Sequence, residues 1–337
     1  MNQHIQNIEI SNFKSIKDLK IDGCKKINIF AGKPNAGKSN ILEAVGIFDL
    51  FFSLLNPQNL KNFVRYENLS DLFFEGDYSK SSQIKLNKEK IFSFYNFNND
   101  RLKIHLENNS IEKTKLKEFS TMGHQETSTV PDLVKRDLKI RKYFFKIENN
   151  IIKFSNFLIS PFGENISTVI SSNPEIRNFV NQFLSVNNLK LLIERGSNNL
   201  KIFKEYEDGT VFSLSYNMIA DTLQRLIFYK TAIMSNQDSV LLFEEPEAHC
   251  FEPYILEFTN EVKYNENNNQ FFMVTHSDFI IQEFLRDEES RNNLQIYLVN
   301  NVDGKTEVKK LDKETNDDVY EYGMNVFFNF DSLWENN

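Results

Sequence analysis

One short stretch of the sequence combines glycines with a lysine and a hydroxyl residue at a spacing that suits phosphate binding. Residues 32–39 read GKPNAGKS and match the pattern G-x-x-x-x-G-K-[ST] at every fixed position. The two glycines let successive backbone N–H groups turn inward around an anion, and a following helix adds the positive end of its dipole. Lys38 would reach the β- and γ-phosphates of a nucleotide, and the Ser39 hydroxyl would hold Mg²⁺. The residues predicted to bind nucleotide here are Gly32, Lys33, Pro34, Asn35, Ala36, Gly37, Lys38, Ser39 and Asn40.

The segments on either side of this stretch decide whether the match is more than chance. Residues 27–31 form a short apolar run, which predicts a buried strand. From residue 39 to about residue 55, apolar side chains recur at helical spacing. Strand, glycine loop and helix, in this order, form the context that a phosphate-binding loop requires. The alternative is a glycine-rich turn with a surface lysine, and it leaves both flanks unexplained.

Two acids and a histidine follow two further apolar runs. Residues 239–243 predict a buried strand that leads directly into Glu244 and Glu245. The carboxyl ends of strands gather at the ligand crevice of such a sheet. Glu244 would hold Mg²⁺ through water, and Glu245 would polarise an attacking water; an acidic turn is the alternative. Residues 270–275 predict a third strand, and His276 follows it directly. We therefore expect His276 to contact the γ-phosphate or the attacking water. The alternative is a satisfied or surface histidine, which is the more common role of a lone histidine.

Composition narrows the class of protein. The 337 residues carry a net charge of −8, which argues against a surface devoted to nucleic acid but leaves room for a local basic groove. Two cysteines without metal-like spacing fit a reducing, cytoplasmic compartment. No signal peptide or membrane-length apolar run is visible, so no membrane contact is expected. One cluster of basic and aromatic residues has two interpretations. It could bind nucleic acid or a partner protein, but we favour a solvated helix face with a buried aromatic edge. It consists of Lys135, Arg136, Lys139, Arg141, Lys142, Tyr143, Phe144, Phe145 and Lys146.

The remaining periodicity predicts an interrupted α/β domain. Residues 1–55 and 211–337 would form the two parts of the core, with an insertion of strands and helices at 56–210. We expect two or three strands within 4–31 and a hairpin around the Glu207-Asp208-Gly209 turn. Further strands are predicted at 83–86, 90–97, 101–106, 190–194 and 294–299, with a hairpin return at 304–311. Helices are predicted at 174–184, 218–235, 251–262 and 277–285.

Together these motifs resemble those of the ABC-type ATPases. The phosphate loop, residues 241–249 (LLFEEPEAH), residues 274–277 (VTHS) and the opening residues 10–16 (ISNFKSI) are most similar to the branch that holds SMC-like heads and the ATPase half of OLD (overcoming lysogenization defect) nucleases. The resemblance implies a phosphate-loop NTPase of ABC-ATPase type, with a mixed sheet, an antiparallel lobe and a central α+β insertion. It also implies ATP and Mg²⁺ as ligands. The middle of the chain carries no recognisable motif.

The resemblance also implies a partner copy. In the family, two heads enclose two ATP molecules, and a serine-containing signature loop from each head completes the other's site. Ser215 is the candidate serine, and Asn217 would replace the usual glycine because asparagine tolerates left-handed backbone angles. Glu244 departs from the aspartate that most ABC proteins carry, although OLD-like members resemble it here. The family's glutamine loop has no clear counterpart, with Gln83 as a guess.

Three functions are compatible with these motifs. The first is an ATP-driven switch that controls a separate nuclease or toxin, because stand-alone relatives occur in bacterial anti-phage systems. Only 61 residues (277–337) follow His276, which we expect to be too few for the nuclease domain of OLD proteins. The second is an SMC-like DNA repair or chromosome-maintenance ATPase, although the insertion lacks sustained heptads and a Cys-x-x-Cys hook. The third is a scaffold that binds ATP without hydrolysing it.

Overall fold

The computed structural model describes residues 4–49, 60–87, 90–97, 101–108, 117–120, 139–147, 155–193 and 200–337. The chain divides into two compact units. The first unit comprises residues 1–142, 239–245 and 270–337, and the second unit comprises residues 143–238 and 246–269.

Strands and helices alternate along much of the described chain. The strands are β1 (Asn7–Phe13), β2 (Ile16–Asp22), β3 (Ile27–Gly32), β4 (Ser82–Leu86), β5 (Lys90–Phe97), β6 (Arg101–Asn108), β7 (Lys117–Ser120), β8 (Lys139–Tyr143), β9 (Lys190–Ile193), β10 (Leu200–Glu205), β11 (Val211–Ser215), β12 (Ser239–Glu244), β13 (Gln270–Val274), β14 (Leu294–Val302) and β15 (Lys305–Lys310). The helices are α1 (Lys38–Gly46), α2 (Leu60–Phe63), α3 (Ile166–Ser172), α4 (Pro174–Ser185), α5 (Asp221–Ser235), α6 (Glu252–Lys263), α7 (Asp278–Arg286), α8 (Glu288–Asn292), α9 (Lys313–Glu321) and α10 (Phe330–Asn336).

A six-stranded mixed sheet in the first unit carries the candidate site. Its order is β15-β14-β3-β13-β12-β8, and β12, β13, β3 and β14 run parallel. Every residue of β3, β12 and β13 is buried, which matches the continuous apolar runs of their sequences because both faces of a parallel sheet are covered. β15 returns antiparallel to β14, as the hairpin at 304–311 predicts. The carboxyl ends of β3, β12 and β13 therefore lie next to one another.

A second sheet of the first unit is antiparallel, with the order β2-β1-β4-β5-β6-β7. Along β1 and β4, apolar side chains that point inward alternate with more polar ones. The apolar residues Ile8 and Ile10 of β1 pair with Leu86 and Ile84 of β4. All four side chains are buried in one core that also contains α1. The mixed sheet and this antiparallel lobe confirm the predicted fold class.

The second unit contains a small antiparallel sheet with the order β11-β10-β9 and several helices. Its core centres on Phe228 of α5, whose ring makes edge-on contacts with Tyr143, Phe145 and Tyr229. The hydroxyl of Tyr143 donates to Leu158 O at 2.6 Å. The predicted hairpin is confirmed, since β10 and β11 pair across the Glu207-Asp208-Gly209 turn.

One prediction needs correction, and two helices were not predicted. Residues 139–143 form strand β8 at the edge of the mixed sheet, so the preferred interpretation of the basic cluster as a helix face is wrong there. Lys135 and Arg136 lie outside the described residues, as does the predicted end of the first helix beyond residue 49. Helices α9 and α10 were not predicted, because short helices with few apolar residues give weak periodicity. The division at 55/56 and 210/211 remains our proposal for the domain boundaries.

The described helices offer no candidate for crossing a membrane, since none of them is both long enough and apolar enough.

Candidate nucleotide site

The phosphate loop lies between β3 and α1, as the sequence predicts. β3 ends at Gly32 and α1 begins at Lys38. Asn35 and Gly37 have positive φ angles of 59° and 95°, so the chain turns sharply before the helix. Gly32 is required for a different reason: a Cβ at this position would lie 2.0 Å from Val299 O of the neighbouring strand. The loop thus presents backbone N–H groups at the amino end of a helix, which is a favourable place for phosphate.

Two hydroxyl groups support the loop from behind. A Cβ added to Gly37 would lie 2.0 Å from Thr306 Oγ1 and 2.7 Å from Ser15 Oγ. These two hydroxyl oxygens are 2.6 Å apart, and Asn40 Nδ2 donates to Ser15 Oγ at 2.7 Å. Asn40, which the sequence assigns to nucleotide binding, therefore contacts the turn between β1 and β2. The turn and the β14–β15 hairpin leave space at residue 37 for glycine alone.

Replacing Gly37 with alanine is expected to reduce both stability and ATP affinity. The substitution adds a left-handed backbone penalty of about 1–2 kcal/mol and an overpacking cost of about 1–3 kcal/mol. Gly209→Ala is a matched control, because Gly209 also has a positive φ of 80° but a Cβ there would have nothing within 4 Å. In thermal unfolding, the unfolding temperature should fall much further for Gly37→Ala than for Gly209→Ala. Equal losses would mean that Thr306 and Ser15 do not confine the loop.

Lys38 is folded back onto the loop. Its Nζ donates to Gly32 O at 2.9 Å and to Lys33 O at 2.8 Å, and the residue is 4% exposed. Burial lowers the pKa of Lys38 to about 8, although the negative charge of Glu245 acts in the opposite direction. The ammonium group is therefore mostly charged at pH 7, and a bound phosphate would stabilise that charge further.

Glu244, the last residue of β12, faces three groups that stabilise its negative charge. Its carboxylate accepts a hydrogen bond from the hydroxyl of Ser39. Lys142 Nζ lies 3.3 Å from Oε2, and Arg65 Nη2 donates to Oε1 at 2.9 Å. Burial alone would raise the pKa of Glu244, but Lys142, the Ser39 hydrogen bond and Arg65 together lower it. Glu244 is therefore an ionised, fixed carboxylate beside the predicted metal ligand Ser39.

Sequence reasoning missed the role of three charged residues around Glu244. Glu43 of α1 is fully buried and accepts from Lys14 Nζ at 2.6 Å and from Arg65 Nε at 2.7 Å. Arg65 thereby joins Glu43 to Glu244. A glutamate among the apolar positions of α1 was a signal of a buried ion pair, since a fully buried acid needs a partner. Lys142 was visible only as part of a basic cluster.

Glu245 and His276 lie side by side at the ends of β12 and β13. His276 Nε2 is 3.6 Å from Glu245 Oε1, and the N–H of Glu245 donates to Val274 O at 2.9 Å. Glu245 has a φ of 45°, a left-handed angle that is uncommon outside glycine. The His276 ring stacks on Phe327 with centroids 6.3 Å apart. Burial and the charge of Lys38 lower the pKa of His276 below that of a free imidazole, with Glu245 opposing them.

The structure brings together most of the predicted site residues. Lys38, Ser39, Glu244, Glu245 and His276 all belong to the first unit. Ser39 contacts Glu244, Glu245 contacts His276, and Glu245 is near enough to Lys38 to affect its pKa. These contacts link both predicted halves of the site.

The candidate signature loop belongs to the second unit. Ser215 is the exposed last residue of β11. Asn217 lies in a short 3-10 turn and is not among the described residues with positive φ, so the expected left-handed role of this asparagine is wrong. Gln83, the guess for the glutamine loop, is a half-buried residue of β4 in the antiparallel sheet. The role of Ser215 remains a proposal.

The oxygen ligands of the site fit Mg²⁺. The Ser39 hydroxyl and the Glu244 carboxylate are hard donors, and a nucleotide would add phosphate oxygens. Within the described part of the chain, no group of three or more His, Cys, Asp or Glu side chains could hold a metal ion.

Comparisons with solved structures place this geometry in a known fold. An SMC head bound to the winged-helix domain of ScpA is similar over 93% of this chain and 99% of the solved chain, with a TM-score of 0.53 and 17% identity. An SMC head with an extended coiled coil, bound to the C-terminal domain of ScpA derived from Pyrococcus furiosus, is similar over 95% and 99%, with a TM-score of 0.51 and 15% identity. The chain has the ABC-ATPase fold of SMC heads. In this fold the chain carries Glu244, Glu245 and His276 at the edge of the sheet next to its phosphate loop.

Sequence comparisons add three relatives of the chain. No family model matches it. It is 22% identical to a Helicobacter pylori ATP/GTP phosphatase over 87% of this chain and 91% of that protein. It is 25% identical to the Septu protein PtuA of Bacillus mycoides over 84% of this chain and 40% of PtuA. It is 29% identical to the DNA replication and repair protein RecF of Clostridium kluyveri over 45% of this chain and 39% of RecF. The chain thus spans about two fifths of PtuA and of RecF.

Proposed function

We propose that the chain binds ATP with Mg²⁺ and hydrolyses it. The observation that carries this proposal is the convergence of both halves of the site in the first unit. Ser39 contacts Glu244, and Glu245 contacts His276 while acting on the pKa of Lys38. The similarity to a protein named as an ATP/GTP phosphatase, over most of both chains, supports the same activity.

Each residue has a distinct proposed task. The loop N–H groups and the α1 dipole bind the phosphates, and Lys38 turns from the loop carbonyls toward the β- and γ-phosphates. Ser39 and Glu244 would hold Mg²⁺, which supplies charge stabilisation at the transferring phosphoryl group. Glu245 positions and polarises the attacking water. His276, beside Glu245, orients the same water or the γ-phosphate.

Phosphate release by the purified chain tests this activity directly. We expect release that requires both ATP and Mg²⁺ and that stops when Mg²⁺ is chelated. Tight ATP binding without any release would instead favour the scaffold function.

His276→Ala should slow hydrolysis by about 10- to 1000-fold while leaving ATP binding nearly unchanged, because the residue contacts the attacking group and not the loop. The lowered pKa of His276 predicts a neutral imidazole at pH 7. The rate of the wild type should therefore hold from pH 8 to about pH 6.5 and decline only as the imidazole becomes protonated at lower pH. Steady-state rates across this range measure both effects. A decline that begins above pH 7 in the wild type and is absent in His276→Ala would contradict the neutral form.

We further propose that this ATPase acts as a switch for a separate effector, such as a nuclease or toxin, in bacterial antiviral defence. Similarity to the Septu protein PtuA over most of this chain supports a defence role. The acidic segment, which resembles that of OLD proteins, also supports this role. We include in the proposal that the chain is related to the ATPase half of OLD nucleases. The protein would act in the cytoplasm. Two copies would enclose ATP between them, and Ser215 of each copy would complete the site of the other. A local contact with DNA is an additional proposal.

A phage-plating experiment tests the defence role. Cells that express the chain together with its neighbouring genes should resist at least one phage, and Lys38→Ala should abolish that resistance. Deletion of the effector gene should abolish it equally. Resistance that persists in Lys38→Ala would separate defence from ATP binding.

DNA repair or chromosome maintenance is the second candidate. The similarity to RecF favours it, but that similarity covers less than half of this chain. DNA-stimulated phosphate release together with sensitivity of a deletion strain to DNA damage, without any effect on phage, would favour it over the switch.

A further inference from the structure

A buried lysine from β8 lies against the carboxylate that we assign to the metal. Lys142 is 5% exposed, and its Nζ lies 3.3 Å from Glu244 Oε2 and donates to Phe63 O at 3.2 Å. Its backbone N–H donates to Asp49 Oδ2 at 3.1 Å. Gly46 leaves room for the side chain, because a Cβ there would lie 3.1 Å from Lys142 Cδ. The Lys142 side chain is thus fixed from its backbone to its ammonium group, whereas a surface lysine keeps its ammonium group in water.

The other oxygen of Glu244 also faces a cation. Arg65 Nη2 donates to Oε1 at 2.9 Å, while its Nε donates to Glu43. Lys14 pairs with the second oxygen of Glu43. The network therefore contains three cations and three buried carboxylates, of which Asp49 accepts from the backbone N–H of Lys142 and Glu43 and Glu244 pair with the cations. The charge of Glu244 is already balanced by protein groups before any nucleotide enters.

We propose that Lys142 is a positioning residue that neutralises Glu244 in the nucleotide-free chain, so that the divalent metal binds only together with the nucleotide. This inference rests on the proposed ATPase function. A cation beside Glu244 Oε2 repels an approaching metal ion, and burial strengthens that repulsion. The triphosphate supplies the negative charge that outweighs it. Free metal would therefore not occupy the site unproductively.

Binding of Mn²⁺, used as a probe for Mg²⁺, tests the inference without any measurement of hydrolysis. The loss of the free Mn²⁺ signal in electron paramagnetic resonance reports binding. We expect Lys142→Met and Lys142→Gln each to tighten nucleotide-free Mn²⁺ binding by about tenfold or more relative to the wild type. Methionine keeps much of the packing against Gly46, and glutamine keeps a donor for Phe63 O. The matched control Lys139→Met removes the same charge from a half-buried position on the opposite face of β8 and should leave Mn²⁺ affinity unchanged.

Unchanged nucleotide-free Mn²⁺ affinity in both Lys142 variants would overturn the inference. A comparison that leaves Lys142 intact guards against misfolding of these variants: without nucleotide, the wild type and Glu244→Gln should bind Mn²⁺ equally weakly. Tenfold tighter binding by the wild type would also overturn it. Failure of the proposed function looks different, because equilibrium dialysis with ATP would then show no more Mn²⁺ on the wild-type protein side than in a control without protein.

Discussion

Lys38→Ala is expected to weaken ATP binding by about 10- to 150-fold, which corresponds to about 1.5–3 kcal/mol for hydrogen bonds to a charged group. The change removes the cation that reaches the β- and γ-phosphates. The fold should survive, because the hydrogen bonds that Lys38 makes within the described part of the chain go to the carbonyl oxygens of Gly32 and Lys33 in the loop itself. Burial already disfavours its charge, as the lowered pKa of about 8 shows. Calorimetric titration with ATP and thermal unfolding measure the two quantities.

A lysine elsewhere in the first unit provides the control for this variant. Lys17 is an exposed residue of β2, and Lys17→Ala should leave both ATP affinity and unfolding temperature close to wild type. Unchanged ATP affinity in a folded Lys38→Ala protein would remove the assignment of the phosphate site.

Glu245→Gln is expected to lower the hydrolysis rate by about 100- to 10,000-fold while ATP and Mg²⁺ still bind. The amide can hold a water molecule but cannot take its proton. The side chain is about half exposed at 47%, so the substitution leaves no buried charge without a partner. Single-turnover phosphate release measures the chemical step, and titration with ATP measures binding. A rate within a factor of a few of wild type would exclude Glu245 as the general base.

The neighbouring acid gives a matched comparison. Glu244→Gln is the same chemical change one residue earlier, but it removes a proposed metal ligand and the partner of Arg65 and Lys142. We expect it to raise the Mg²⁺ concentration needed for ATP binding, which Glu245→Gln should leave unchanged. Identical behaviour of the two variants would mean that the metal and water roles are not divided between these acids.

ATP trapped by Glu245→Gln also tests the proposed pairing of heads. If Ser215 completes the site of a second copy, sedimentation should show a larger species with ATP than without it, and Ser215→Arg should prevent the change. A mass that stays the same with and without ATP in Glu245→Gln would remove the two-head arrangement, unless the chain is already an oligomer without ATP.

Local sequence was sufficient for the parts of the site that depend on neighbouring residues. The phosphate loop is contiguous, so the spacing of Gly32, Gly37 and Lys38 already determines a turn followed by a helix start. The positions of Glu244 and His276 could be predicted because each lies at the end of a largely apolar run, and such runs form parallel strands whose carboxyl ends meet. Periodicity was too weak to predict α9 and α10, and it misassigned β8, where one of the buried positions, residue 142, is a lysine.

The sequence by itself determined that this chain builds a phosphate-binding loop and a parallel sheet with acids and a histidine at the strand ends. Only the tertiary structure decided which charges surround those acids. Arg65 and Glu244 are 179 positions apart, and Glu43 and Lys142 meet the same network from a helix and an edge strand. Local propensity carries no information about such distant pairs, because a lysine on a strand has the same local pattern whether solvent or a buried carboxylate receives it.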